Sequence, residues 1–420
     1  RHGDHPFCDA LDLPSYSTAK SIVGAVGLMR LEALVPGAAN QLIAQHVPAC
    51  AVGEAWKGVT LGQSLDMATG VYGSSAFEAD ENAPSISAFF DAEDHAPKVA
   101  YACGQYRRRA MPGQTFVYHT ADTYLLGAAL ADIQRERGDG DFYDALIAPL
   151  WRSLRLSPTI LTTRRTADAA RQPFTGWGLT YHADDIVRIG GWLSDGARIE
   201  GRPVLDSGLL SAALQRDPAR PGLRAGGQDY RYKAGFWARD LGTTLGCAAP
   251  LWAPFMSGYG GISVVLLPGG LTYYYFGDSG VFDWAPAAVE AAKIIRRSAE
   301  HLTNLVEGLL DISQVESGVL RISSETVRLA PFVDQIANMF RPQAQSKGID
   351  FLFERPEKLP DFVRTDQKRL RQILINLLTN AVRFTDSGTV TLHVDARREV
   401  LRFDVIDTGI GVAPQDHQRI

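Results

Sequence analysis

Nowhere does the sequence hold an apolar run of about 18 residues, the length a spanning helix needs, so no membrane segment is expected. It opens at Arg1 without an apolar leader core, and as the chain stands a cytoplasmic location is expected. Cations are not in excess: 42 Lys and Arg face 47 Asp and Glu, for a formal net charge of -5, and no basic cluster stands out. Nucleic-acid affinity comes largely from Lys and Arg neutralising phosphates, so no nucleic-acid partner is expected. Cysteine is scarce too. Cys8, Cys50, Cys103 and Cys247 lack any Cys-x-x-Cys spacing, which argues against a zinc site or a thioredoxin-like motif and reads as buried free thiols. Gly/Ser-rich or Pro-rich linkers, internal repeats and low-complexity tracts are absent as well.

At 420 residues the chain exceeds what one hydrophobic core usually organises, so at least two domains are expected. A hydrophobic content of 45%, a charged content of 21% and a mean hydropathy of -0.08 are those of globular protein. Up to about residue 290 short elements alternate with Pro/Gly punctuation such as Met111-Pro112-Gly113 and Pro268-Gly269-Gly270, an α/β texture. From Ala291 aromatics thin out. Ile295, Leu302, Leu305, Leu309, Ile312 and Val315 then recur at three- and four-residue steps, the stripe of an amphipathic helix. The border falls between Pro286 and Ile295.

In the first part, Ser15-Tyr16-Ser17-Thr18-Ala19-Lys20 leads into Ile22, Val23, Ala25, Val26, Leu28 and Met29, apolar on nearly every face and therefore a buried helix. Ser17 and Lys20 stand one turn apart on one face. At the helix start, free N-H groups and the helix dipole favour developing negative charge. A lysine kept partly neutral by burial can take the proton of the Ser17 hydroxyl and make it a nucleophile. Pro112 to Tyr118 reads as a turn and short strand, followed after His119 and Thr120 by a helix from near Ala121.

This order, Ser-x-x-Lys followed by a Pro-Gly and a Tyr-x-Asn-like region, resembles serine hydrolases of the class C β-lactamase, DD-peptidase and 6-aminohexanoate-dimer hydrolase group. Val59 to Gly70, Gly176-Trp177-Gly178-Leu179 with the helix Ala183 to Leu193, and Ser257-Gly258-Tyr259-Gly260-Gly261 running into a strand hairpin extend the likeness over about residues 10 to 290. It implies a two-step acyl transfer with no cofactor. Ser17 would attack, Lys20 and Tyr118 would move the proton, and the Ser17 N-H with an N-H near Gly260 and Gly261 would hold the oxyanion. Two departures bear on substrate. Thr120 replaces the Asn of Tyr-x-Asn and offers no amide. Gly258-Tyr259-Gly260 replaces a Lys-Thr-Gly or His-Thr-Gly triplet, removing the cation that would pair with a carboxylate. An ester or small amide is thus expected as substrate, rather than a β-lactam. With about sixteen residues ahead of Ser17, the sheet is expected to lack its first strands.

In the second part, Arg296 to Gly318 resembles the second helix of a histidine-kinase dimerisation hairpin. Asn376, Asn380 and Arg383 share one face of a long helix, and after two alternating strands comes Asp407-Thr408-Gly409-Ile410-Gly411. Together these resemble the ATP-binding fold of histidine kinases. The resemblance implies ATP and Mg²⁺ as cofactors, with Asn380 helping to hold the metal, Arg383 on a phosphate, Asn376 in the catalytic position, Asp407 accepting from the adenine amino group, and Gly409 and Gly411 letting the backbone approach. No His-Glu-Leu-Arg-Thr-Pro-Leu-like acceptor segment precedes Arg296, His301 lies on the other helix of such a hairpin, and the chain stops before a second glycine box. Autophosphorylation is not expected, and ATP binding is expected to be weak or absent.

The expected architecture is multidomain α/β. A β-lactamase-like antiparallel sheet with a helical domain occupies 1-290, a dimerisation-type helix 292-320, and a partial Bergerat-type α/β sandwich 321-420. A serine hydrolase acting on an ester or amide is the leading function, with a sensor histidine kinase carrying a sensory or inactive hydrolase-like part as the alternative. A homodimer through the 292-320 helix is the expected self-association; a response regulator follows only if the kinase is complete.

Overall fold

The computed structural model describes residues 10-138, 140-217, 219-226, 229-277, 279-280, 283-316, 322-356, 359-397 and 400-411. Two compact units meet between Arg297 and Ser298.

The first unit is built round the segment that follows Ser17. Tyr16-Thr18 forms a tight turn, Lys20-Ala25 a wider π-helical stretch and Val26-Leu34 an α-helix. Ile22, Val23, Ala25, Val26, Leu28, Met29 and Leu31 are all fully buried, as expected for a helix apolar on every face. It packs with the Thr120-Arg137 helix, which contributes Tyr124, Leu125, Leu126, Ala129 and Leu130 to one core. Beside these helices lies a six-stranded antiparallel sheet in the order Thr272-Tyr275, Ile262-Leu266, Trp252-Gly258, Phe236-Asp240, Tyr230-Lys233, Leu223-Arg224. Its hairpin over Pro268-Gly269-Gly270 and the Ala183-Ser194 helix fall where the sequence pattern put them. Ahead of Ser17, among the described residues, only Leu13-Pro14 pairs, with Thr180-Tyr181 rather than with the six-stranded sheet.

Two expectations need correction here. Tyr118 is not on a strand: residues 115-119 lie outside any sheet or helix, tied at Val117 N-H to the Met67 carbonyl at 2.9 Å. Cys50 and Cys103 are not free thiols but form a disulfide. Pairing was hidden because the two cysteines, 53 positions apart, are brought together by tertiary contacts that spacing does not report. Cys247 is free and exposed, not buried; Cys8 lies outside the described residues.

The helix expected over 292-320 starts earlier, at Ala285, and runs to Glu316. Its first turn, with Ala285 and Ala288, is buried beside Trp284 in the core of the first unit. Ile295 and Leu302 are exposed; the side chains of His301, Leu305, Leu309, Ile312 and Val315 lie outside the described residues.

In the second unit a three-stranded sheet orders Asp350-Glu354, Thr389-Arg397 and Val400-Asp407, the first pair parallel and the second antiparallel. Alternation along the central strand buries Val390, Leu392 and Val394. The helices Leu329-Lys347 and Gln367-Phe384 share this core, the latter through Leu374, Leu378, Ala381 and Val382, and Asp366 caps its start by accepting from the Arg369 N-H at 3.0 Å. Among the described residues no helix is long and apolar enough to cross a membrane.

Candidate active site

Burial of the helix that follows Ser17 leaves Lys20 only 2% exposed, with its ammonium aimed inward. Lys20 Nζ donates to Ser17 Oγ at 2.8 Å and to the Gly176 carbonyl at 3.3 Å, and lies 4.9 Å from the Tyr118 ring centre. Desolvation pulls its pKa down from 10.5 to about 8, against an opposing pull from the Glu81 charge. The Tyr118 phenol lines the same cleft as Ser17. Burial, then Glu81, push that phenol well above its ordinary value, and Glu78 adds to the rise. Tyr118 is therefore a neutral proton donor at ordinary pH, and Lys20 is the group whose proton is readily lost.

Ser17 opens into a cleft of about 560 Å³ lined by, among others, Tyr118, Thr120, Gly176, Trp177 and Gly258. Gly258, buried at the end of its strand, lets that strand close on the turn that carries Ser17: a Cβ there would stand 3.2 Å from the Ser15 carbonyl. Gly260 is buried and lines the cleft; Gly261 is buried behind it. Tyr259, 75% exposed, tilts against Tyr16 across the rim at 5.7 Å. Tyr16 itself holds φ at 41°, an uncommon conformation for a residue with a Cβ, directly before Ser17.

Thr120 lines the cleft, but its hydroxyl already donates a hydrogen bond to Glu81, which also accepts from its N-H at 2.9 Å. Reasoning from sequence missed Glu81. Phe77-Glu78-Ala79-Asp80-Glu81-Asn82 looks like a solvated acidic loop, and no spacing marks it. One layer deeper, buried His119 sits between Asp80, at 2.9 Å from Nε2, and Asp122, at 3.6 Å from Nδ1, with the Tyr106 ring stacked on it. Despite desolvation, the two carboxylates push its pKa up to about 10. Asp80 also accepts from the N-H groups of Gly73 and Ser74, so this charged trio staples the 73-82 loop to the segment carrying Tyr118.

In the second unit Asn376, Asn380 and Arg383 are exposed along one helix, as their spacing requires. Asp407 is exposed and its Oδ1 accepts from the Gly409 N-H at 2.9 Å. Gly409 packs so closely on the end of the helix that a Cβ would meet the Phe384 carbonyl at 2.4 Å, and Ile410 N-H donates to that carbonyl at 3.3 Å. The two sequence motifs, distant along the chain, thus touch directly. Gly411 follows, the last described residue.

Residues 365-420 match the family of histidine kinase-, DNA gyrase B- and HSP90-like ATPases. The chain joins a β-lactamase-like fold to a histidine-kinase-type ATPase segment. The hydrolase-like fold is that of a protein described as a 6-aminohexanoate-dimer hydrolase from Bacillus anthracis, at a TM-score of 0.50 and 16% identity, covering 72% of this chain and 76% of that one. The kinase-type segment is 40% identical over 135 residues to the sensory/regulatory protein RpfC of Xanthomonas campestris pv. campestris, covering 30% of this chain and 18% of RpfC. Against the aerobic respiration control sensor protein ArcB of Escherichia coli it is 40% identical over 125 residues, covering 30% of this chain and 16% of ArcB. The chain thus spans less than a fifth of these curated relatives.

Proposed function

We propose that the first unit is a serine hydrolase that cleaves an ester or small amide through an acyl-enzyme on Ser17. The observation that carries this reading is the buried Lys20 ammonium 2.8 Å from Ser17 Oγ and 4.9 Å from the ring centre of Tyr118, which lines the same cleft as Ser17. Neutral Lys20 takes the Ser17 proton as Oγ bonds to the substrate carbonyl carbon. The tetrahedral oxyanion would lie towards the Ser17 N-H and the backbone near Gly260 and Gly261. As it collapses, the bond to the leaving group breaks and Tyr118 passes a proton to the departing atom, recovering its own from Lys20. Water then attacks the Ser17 ester carbonyl and gives up a proton to neutral Lys20; as the bond to Ser17 Oγ breaks, Lys20 returns that proton to Oγ and the acid is released.

Charge in the cleft favours an ester or amide without a carboxylate: its charged lining residues are Glu78 and Glu81, both anionic. Purified protein should hydrolyse a p-nitrophenyl ester far faster than nitrocefin, with Ser17→Ala abolishing turnover. Equal rates on both would refute the preference, and full activity in Ser17→Ala would refute the mechanism.

A second reading is favoured by the kinase-type match at residues 365-420. We propose that Asn376, Asn380, Arg383 and Asp407 hold ATP, with Asn380 towards Mg²⁺. Their exposure on one helix face, beside a loop packed on that helix's end, fits such a ligand. The nucleotide would supply a transferable phosphoryl group. In that setting the Ala285-Glu316 helix would pair with a second copy and a response regulator would be the partner. No phosphotransfer step is assigned to this chain's own residues; incubation with labelled ATP should give no phosphohistidine, and its appearance would promote the signalling reading.

A further inference from the structure

The catalytic cleft continues into a second chamber of about 340 Å³ walled by Phe77, Tyr230, Trp237 and Phe255. Glu78, Trp237 and Ser257 line both spaces, so a group seated in the chamber can belong to the same molecule that reaches Ser17. Trp237 organises the walls: its ring meets Phe77 edge-on at 6.2 Å and Tyr230 at 6.4 Å, stacks on Phe255 at 6.2 Å, and tilts against Tyr118 at 5.8 Å. Phe77 is 56% exposed and lines the chamber, so an apolar group seated there would cover its ring. At the junction stands Glu78, half-buried beside Glu81; Glu81 acts on the Lys20 ammonium, whereas among the described residues Glu78 forms no ion pair. A partly desolvated carboxylate without a counter-charge favours a cation and repels an anion. Occupancy of the chamber matters most for the acyl group, which stays attached through both steps, whereas the leaving group has to escape to solvent.

We propose that the substrate's acyl group carries a bulky apolar side chain, held between Phe77, Tyr230, Trp237 and Phe255, and a cationic amine facing Glu78. This rests on the hydrolase reading of Ser17. The bond changes are those of the acyl transfer above; the chamber and Glu78 decide which acyl group is taken. Phe77 and Glu78 are then specificity-determining residues, contacting substrate away from the reacting atoms.

The test uses the full chain and the p-nitroanilides of D- and L-phenylalanine, D- and L-alanine, and the N-acetylated phenylalanines, with labelling of Ser17 by a fluorophosphonate probe run alongside. The expected kcat/KM for the better phenylalanine enantiomer exceeds that of alanine roughly tenfold or more, the scale of burying a phenyl group. N-acetylation should lower it about tenfold. Phe77→Ala, at an exposed position, should shrink the phenylalanine-over-alanine ratio, and Glu78→Gln should shrink the acetylation penalty. Protein that is labelled at Ser17 yet turns over all the anilides alike, or none of them, overturns this specificity and leaves the hydrolase reading standing. Protein that is neither labelled nor active overturns both.

Discussion

The Glu81 carboxylate grips Thr120 twice, accepting from its N-H at 2.9 Å and from its hydroxyl. From that position its charge raises the pKa of Lys20, which burial depresses to about 8. Glu81→Gln keeps the shape and removes the charge, so Lys20 should lose its proton more easily. On the proposed mechanism the reacting form of Lys20 is neutral, so kcat/KM for a neutral ester should rise with pH, half-maximal near 8 and level above it in the native protein, and that rise should move to lower pH in the variant. A pH profile that does not move would show that Glu81 exerts no control over Lys20.

The depressed pKa of Lys20 has a cost in stability. A lysine whose folded pKa falls to about 8 from 10.5 resists a proton that the unfolded chain accepts. The folded state therefore loses stability as pH drops from 10.5 towards 8, and below 8 the cost stays constant at about 3 kcal/mol. Lys20→Met should abolish acylation while leaving the first unit at least as stable at pH 7 by urea denaturation. A clear loss of stability would mean that the bonds to Ser17 and Gly176 outweigh the desolvation.

His119 is the opposite case. Its folded pKa, pushed up to about 10 by Asp122 and Asp80, lies above that of an exposed imidazole. Its contribution is fully present below about pH 6.5 and fades as pH climbs through 10. Removing one member of a buried ion cluster strands the others, at a cost of about 3-5 kcal/mol. His119→Ala should destabilise the first unit strongly at pH 6, and the gap from the native protein should narrow at pH 10. It should also free the 73-82 loop, read as faster hydrogen exchange at the Gly73 and Ser74 amides.

The Cys50-Cys103 disulfide closes a loop with a sequence separation of 53 residues. On the chain-entropy estimate a loop of that size is worth up to about 4 kcal/mol. Reduction with dithiothreitol, or Cys50→Ser with Cys103→Ser, should lower the midpoint of urea unfolding of the first unit. An unchanged midpoint would show that packing alone holds this region.

Periodicity and spacing carried much of this molecule into view. An all-apolar face after Ser17 could only be a buried helix, and a three-residue step had to put Lys20 beneath Ser17, because both follow from local backbone geometry. The alternating Thr389-Arg397 strand and the Asn376-Asn380-Arg383 face were legible for the same reason. What no local rule contains is which distant segments meet. Tyr118 reaches the cleft of Ser17 from a segment held by Met67 rather than from a strand. Glu81, on an acidic loop that reads as solvated, turns inward because the Asp80-His119-Asp122 cluster pins that loop. Cys50 finds Cys103, and Phe77 faces Trp237, through the packing of the whole first unit. The residue types of the candidate site were written in neighbouring residues, whereas its electrostatics and the shape of its aromatic chamber arise from contacts between residues far apart in the chain, which only the folded core brings within range.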